Sequence, residues 1–214
     1  MYVTLGYSVA GRPIRAFVGR ESGGEKIVVL GAFHGDEPKS VTVARKLIDL
    51  LDTEPQQGKG HEWVVVPIVN PDGYEARRRR NANAVDINRN FPTKNWVRSP
   101  RRSRMFSGDS PGSEPETRAV IKAVKRYRPT RIISIHSIDG RRHCNNYDGP
   151  GRAIAEAMGR RNRYPVRGSM GYPTPGSFGN WAGVERGIPT ITLELPSHHS
   201  PKRCWEDNRW ALFC

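Results

Sequence analysis

His34-Gly-Asp-Glu37 sets an imidazole and a carboxylate three residues apart. In a tight turn both side chains reach one cation, because imidazole nitrogen and carboxylate oxygen are both ordinary zinc donors. Gly31 and Gly35 flank His34, as a close backbone turn wants. H-x-x-E alone is a weak signal, since a catalytic zinc takes a third protein ligand and keeps an open position. His136, just after the apolar run Arg131–Ile135, is the candidate for that third ligand. Glu194 is a lone carboxylate near the end of another apolar run, Pro189–Leu195, and suits acid–base work. Asn88 and Arg89 pair an amide with a planar guanidinium fork, a combination that suits a carboxylate. Their neighbours Asn81 and Asn83 read as scaffold for the same loop. Asp86 either holds that loop or orients a metal-bound histidine.

These residues lie far apart in sequence, so the elements around them must bring them together. Lys26–Phe33 (KIVVLGAF) is branched and apolar and reads as a buried strand. A helix follows, with Pro38 in its first turn and Val41, Ala44, Leu47, Ile48 and Leu51 on one face. Glu62–Val69 reads as a second buried strand, closed by the turn Asn70-Pro-Asp-Gly73. Ser113 and Glu116 have capping-box spacing, with Pro115 in the first turn of a helix running to Tyr127. Arg131–Ile135 and Pro189–Leu195 read as strands, and Ala153–Arg161 as a helix. Strands alternating with helices imply an α/β domain with a mixed, mostly parallel twisted sheet covered by helices on both faces. Three of the four strands finish at or just before a candidate residue: His34 with Glu37, His136, and Glu194. Open α/β sheets place their sites beyond the carboxyl ends of strands, so convergence is expected.

The chain has 214 residues, 36% hydrophobic and 26% charged, which suits one domain over residues 1–214. No internal repeat or linker interrupts it. There is no apolar run of membrane-spanning length and no secretory pattern at the start, so a cytoplasmic protein is expected. Cys144, Cys204 and Cys214 form no pairing framework and read as thiols. His143 with Cys144 is not read as a second metal site, and His198 with His199 reads as loop surface rather than substrate contact. The net charge of +14, with arginine runs such as Arg77–Arg80, reads first as a solvated surface and, more sharply, as attraction for acidic partners. No aromatic-interleaved pattern accompanies it, so nucleic acid is not the expected partner. The chain is compatible with a monomer or a homodimer.

His34-Gly-Asp-Glu37, Asn70-Pro-Asp-Gly73, Val85-Asp-Ile-Asn-Arg-Asn-Phe-Pro92, Ser134-Ile-His136 and Thr192-Leu-Glu194 together resemble the zinc carboxypeptidases, the funnelin family. The likeness runs from about Gly31 to Pro196. Arg79–Asn83, Asn95-Trp96, Ser107–Thr117 and Gly171–Gly179 further resemble a bacterial branch of that family acting on murein peptides. The resemblance implies one zinc per chain on His34, Glu37 and His136, with Glu194 as general base. It implies that Arg79 polarises the scissile carbonyl, although Arg77, Arg78 and Arg80 leave that register open by one. It gives Asn88 and Arg89 the substrate's free carboxylate, and Tyr172 a loose likeness to a substrate-capping tyrosine. The implied substrate is an acidic peptide with a γ-D-glutamyl–meso-diaminopimelate bond. Ala84 stands where the branch has glycine, and a positive φ there would strain it. An aspartoacylase-like deacylase would share the zinc motifs, and a basic nucleic-acid-binding protein would share the charge. The branch-specific stretches argue against the first, and the ordered motifs against the second.

Overall fold

Branched apolar residues build the middle of the sheet, and the antiparallel strands at its edges are more polar. The computed structural model describes residues 1–20 and 23–214. Its strands are β1 (Tyr2–Tyr7), β2 (Pro13–Val18), β3 (Glu25–Gly31), β4 (His61–Val66), β5 (Arg131–Ile138), β6 (Cys144–Asp148), β7 (Val166–Arg167) and β8 (Thr190–Pro196). They form one mixed sheet in the order β1-β2-β4-β3-β5-β8-β6-β7. Neighbours are parallel from β4 through β3 and β5 to β8. β2 joins β4, and β6 joins β8, antiparallel.

The helices are α1 (Pro38–Thr53), α2 (Pro71–Glu75), α3 (Pro115–Tyr127), α4 (Arg152–Asn162) and α5 (Pro201–Asn208). Alternation along β3 divides the core in two. Ile27 and Val29 pack with Ala44 and Leu47 of α1, Met158 of α4 and Cys204 of α5. Val28 and Leu30 face the other way, onto Val120 and Ala123 of α3 and the rings of Phe33, Phe91, Phe178 and Trp181. The expected apolar stripe of α1 is buried throughout. Truncating a fully buried member such as Leu47 to alanine costs about 2–5 kcal/mol.

Several expectations are corrected in detail. β3 stops at Gly31, because Ala32 turns to φ +45° and leaves the sheet. β4 stops at Val66, because Pro67 has no N–H to continue the ladder. Asn70–Gly73 opens the short helix α2, with the Asn70 side chain accepting from Gly73 N. The capping box is absent. Glu114 is the N-cap of α3, Ser113 Oγ bonds Glu114, and Glu116 accepts from Asn81 instead. His136 lies inside β5 rather than after it, and pairs in register with Glu194, which lies inside its strand as expected.

Candidate active site

The turn after β3 is shaped by close backbone approach. Ala32 N donates to Ser40 Oγ, which ties the turn to the start of α1. A Cβ on Gly35 would collide with the backbone at Gly73, so only glycine lets α2 come this near. The tight turn that results points His34 and Glu37 at the same point above the sheet. β5 carries His136 to that point from the neighbouring strand.

His34 Nδ1 lies 2.7 Å from Glu37 Oε1, and His136 Nδ1 lies 3.1 Å from Glu37 Oε2. The two Nδ1 atoms are 3.3 Å apart. A tetrahedral centre with bonds of ~2.0–2.1 Å spaces its ligand atoms by roughly 3.3 Å, so these donors fit zinc. The described residues contain no other such group of His, Cys, Asp or Glu. Phe33 stacks on the His136 ring at 5.6 Å and 9°, which fixes its plane. Burial lowers the pKa of both imidazoles, but Glu37 and Asp86 outweigh it at His34, whose pKa is raised. At His136 burial prevails, which favours the neutral ring a metal needs. Burial opposes ionisation of Glu37, yet His34 and His136 outweigh it and hold the carboxyl well below its usual range.

Asp86 ties this cluster to the arginine loop. Its Oδ1 lies 3.0 Å from His34 Nε2 and also accepts from Asn88 N. Its Oδ2 accepts from Arg79 Nε at 2.9 Å. Burial raises the Asp86 pKa, but His34 and Arg79 overcome that and keep it far below the usual carboxylate range. An acceptor-only carboxylate requires the proton on His34 Nε2, which leaves the Nδ1 lone pair facing Glu37 and His136. Both alternatives for Asp86, loop support and histidine orientation, are therefore present. Asn81 and Asn83 donate to Glu114, as expected of scaffold. Ala84 does adopt φ +61°.

A cleft of about 310 Å³ opens over the cluster, and His34, Glu37, His136, Arg79, Asn88, Arg89, Tyr172 and Glu194 all line it. Of the four consecutive arginines, only Arg79 does so. Arg80 turns away to the carbonyls of Arg101 and Ser103. Arg89 is 5% exposed, donates to Asn88 O, and has no carboxylate partner among the described residues. Asn88 Oδ1 accepts from Phe178 N, which locks its amide. Glu194 is 8% exposed; burial, then the nearby Glu37 charge, push its pKa up to about 8. Tyr172 stands at the rim, 40% exposed. Sequence reasoning passed over Asn146 and Asp148, which line the same cleft from β6. The only signal was polar residues two apart, in a stretch too polar to read as a strand.

The sheet order and the buried His–Glu–His set over its carboxyl ends define an α/β metallohydrolase of the carboxypeptidase class. The family model Peptidase_M14, zinc carboxypeptidase, matches residues 1–203. The chain belongs to that family and is a zinc metallocarboxypeptidase or amidase. It is 34% identical over 206 residues to murein peptide amidase A of Escherichia coli (strain K12), covering 89% of this chain and 79% of that protein. To murein peptide amidase A of Vibrio campbellii it is 32% identical over 208 residues, covering 90% and 78%. The crystal structure of murein-tripeptide amidase MpaA from Escherichia coli O157 superposes with a TM-score of 0.78 at 30% identity, covering 99% of this chain and 89% of that one. Carboxypeptidase A from Helicoverpa armigera shares the fold with a TM-score of 0.82 at 20% identity, covering 100% and 66%. No described helix is long and apolar enough to cross a membrane.

Proposed function

We propose that the enzyme removes the C-terminal residue of a murein peptide by hydrolysing the γ-D-glutamyl–meso-diaminopimelate bond, with residues 1–214 as one catalytic domain. The observation that carries this reading is Arg89, a buried guanidinium in the cleft without a carboxylate partner among the described residues. A buried cation is stable only when paired, and a substrate's terminal carboxylate offers the planar, bidentate match. The murein peptide amidase relatives support the substrate class. A net charge of +14 favours encounter with an acidic peptide. Free thiols at Cys144, Cys204 and Cys214 accord with a cytoplasmic site of action.

In this mechanism His34, Glu37 and His136 hold one zinc ion. Zinc, when bound, supplies Lewis acidity at the scissile carbonyl and makes water more acidic. Glu194 takes the proton of the attacking water and delivers it to the leaving nitrogen. Burial raises the Glu194 pKa, which suits the carboxyl to holding the proton between the two halves of that transfer. Arg79, held by Asp86, aims its guanidinium at the carbonyl oxygen, where charge develops. Asn88 and Arg89 hold the terminal carboxylate and so limit cleavage to the last residue. Tyr172 covers the bound peptide from the rim.

The test is product analysis by mass spectrometry after incubating zinc-loaded enzyme with a mixture of muropeptides. Release of terminal diaminopimelate from the tripeptide is expected. Intact tripeptide beside hydrolysed acyl-amino acids would reject the reading in favour of a deacylase.

A further inference from the structure

A second hollow, of about 460 Å³, opens beside the cleft and falls in the size range of ligand pockets. The two share Glu37, Arg79, Arg89, Ser137, Ile138 and Tyr172, so the metal cluster and the arginine held by Asp86 stand on the border between them. From that border the cleft runs along β6, past Asn146 and Asp148. The hollow runs the other way, to Arg104 and Met105 and to Arg142 in the link between β5 and β6. A peptide bond held at the border puts its departing residue in the cleft and its acyl residue in the hollow. Four guanidiniums and three carboxylates line the hollow. Arg79 is tied to Asp86, and Glu37 belongs to the metal set. Arg104 Nη2 lies 3.3 Å from Asp36 Oδ2 and so covers that carboxylate. Arg142 is left over. Its Nε donates to Asp139 O at 3.4 Å, and its guanidinium has no carboxylate partner among the described residues. It reaches the border. Burial, then the Glu194 charge, raise the Tyr172 pKa, and Arg89, Arg79 and Arg142 all oppose that rise. Met105 and Ile138 give the hollow an apolar side.

We propose that Arg142 selects the acyl side of the substrate by pairing with a carboxylate carried on the residue whose carbonyl is cleaved. This rests on the reading above that Arg89 holds the terminal carboxylate while the departing residue occupies the cleft. The chemistry follows from the linkage. A glutamyl residue joined through its side-chain carboxyl keeps its α-carboxylate free, with three carbons between it and the scissile carbonyl. That short stem packs on Met105 and Ile138, and the carboxylate offers the guanidinium a planar, bidentate partner. Asp36 would repel such an anion, and the Arg104 pairing removes that obstacle. An acyl residue ending in an amide gives Arg142 no charge to pair with.

The experiment compares kcat/KM for two substrate pairs. One is L-Ala-γ-D-Glu-meso-diaminopimelate against the same tripeptide with the glutamyl α-carboxylate amidated. The other is benzoyl-Glu-Lys against benzoyl-Gln-Lys, where an ordinary α-linkage sets a carboxylate or an amide at the same carbon spacing. Wild type should prefer the acid by about 5–30-fold, the lower part of the range for a hydrogen bond to a charged partner, because Arg142 is exposed to solvent in the free enzyme. Arg142→Gln should bring that ratio near unity, chiefly by raising KM for the acid. Arg141→Gln removes the same charge from the neighbouring position, which does not line the hollow, and should keep the preference. A wild type that cleaves acid and amide equally, or prefers the amide, overturns the assignment, as does an Arg142→Gln enzyme that keeps the preference. Equal loss in both variants also overturns it, since general attraction by the basic surface would then be the cause. If the benzoyl pair shows the Arg142-dependent preference while neither tripeptide is cleaved, the murein reading fails and the role of Arg142 stands. Tripeptides cleaved without preference leave the murein reading standing and remove Arg142.

Discussion

Asp86→Asn attacks the contact that sets the tautomer of His34. The carboxylate receives His34 Nε2 at 3.0 Å on one oxygen and Arg79 Nε at 2.9 Å on the other. An amide cannot accept on both sides. If its NH2 faces His34, the imidazole must move its proton to Nδ1, where it blocks the metal. If it faces Arg79, two donors oppose each other. Losing such a supporting partner lowers metal affinity about 10–100-fold, or roughly 1.4–2.7 kcal/mol. The metal-free protein should also weaken. Breaking a buried ion pair costs about 3–5 kcal/mol. Arg79 is 18% exposed and keeps Glu37 at 3.7 Å, which points to the lower end of that range. At ~2–4 °C per kcal/mol for a chain of this size, Tm should fall by about 6–12 °C. Competitive zinc titration against a chromophoric chelator reads the affinity, and calorimetry of chelator-treated protein reads the stability. Zinc affinity within a factor of two of wild type, with Tm unchanged, would show that Asp86 does not govern His34.

The other expectations concern single side chains. Glu194→Gln should keep its zinc and its melting temperature yet lose about 10²–10⁴-fold in kcat, because an amide accepts no proton from water; near-normal turnover rejects Glu194 as base. Arg89→Lys keeps the charge and loses the fork, so KM should rise, with kcat/KM falling about 10–100-fold. Amidating the substrate's terminal carboxylate should then hurt wild type far more than the variant, and equal losses would remove Arg89 from that contact. Ala84→Gly relieves a left-handed φ that costs a side chain about 1–2 kcal/mol, less glycine's unfolded-state entropy, so Tm should rise by roughly 1–4 °C; a fall in Tm contradicts it. Asp148→Asn should stabilise the substrate-free fold at pH 8 but not at pH 4. The carboxyl's folded pKa of about 6 lies above its ordinary value, so its contribution is intact below that value and lost as pH rises through 6. The gap at pH 8 is at most about 3 kcal/mol, and melting curves that differ equally at both pH values would refute the cause.

The central strands and α1 were legible because their patterns are local. Val28 and Val29 must face opposite sides of a strand, and the α1 stripe must face one side of a helix. The outer strands β1, β2, β6 and β7 were not. Their residues are mixed in polarity, and their pairing depends on partners far along the chain. The capping box failed for the same reason. Ser113 and Glu116 have the right spacing, but Asn81 offers Glu116 a buried donor that the local turn cannot match.

For the site, the sequence by itself determined which atoms are available. Imidazoles at 34 and 136, carboxylates at 37 and 194, and an amide–guanidinium pair at 88 and 89 are properties of residue type, and their order along the chain carries the family likeness. Only the tertiary structure decided which of those atoms meet. Arg79, rather than its three neighbours, enters the cleft because Asp86 holds it there. His34 presents Nδ1 because the same carboxylate occupies Nε2. Asp148 becomes a cleft residue because β6 adds antiparallel to β8 and its carboxylate fits against Gly179. Each of these depends on burial and on groups tens of residues away. Protonation, desolvation and facing direction are set by that environment, and no short stretch of sequence contains it.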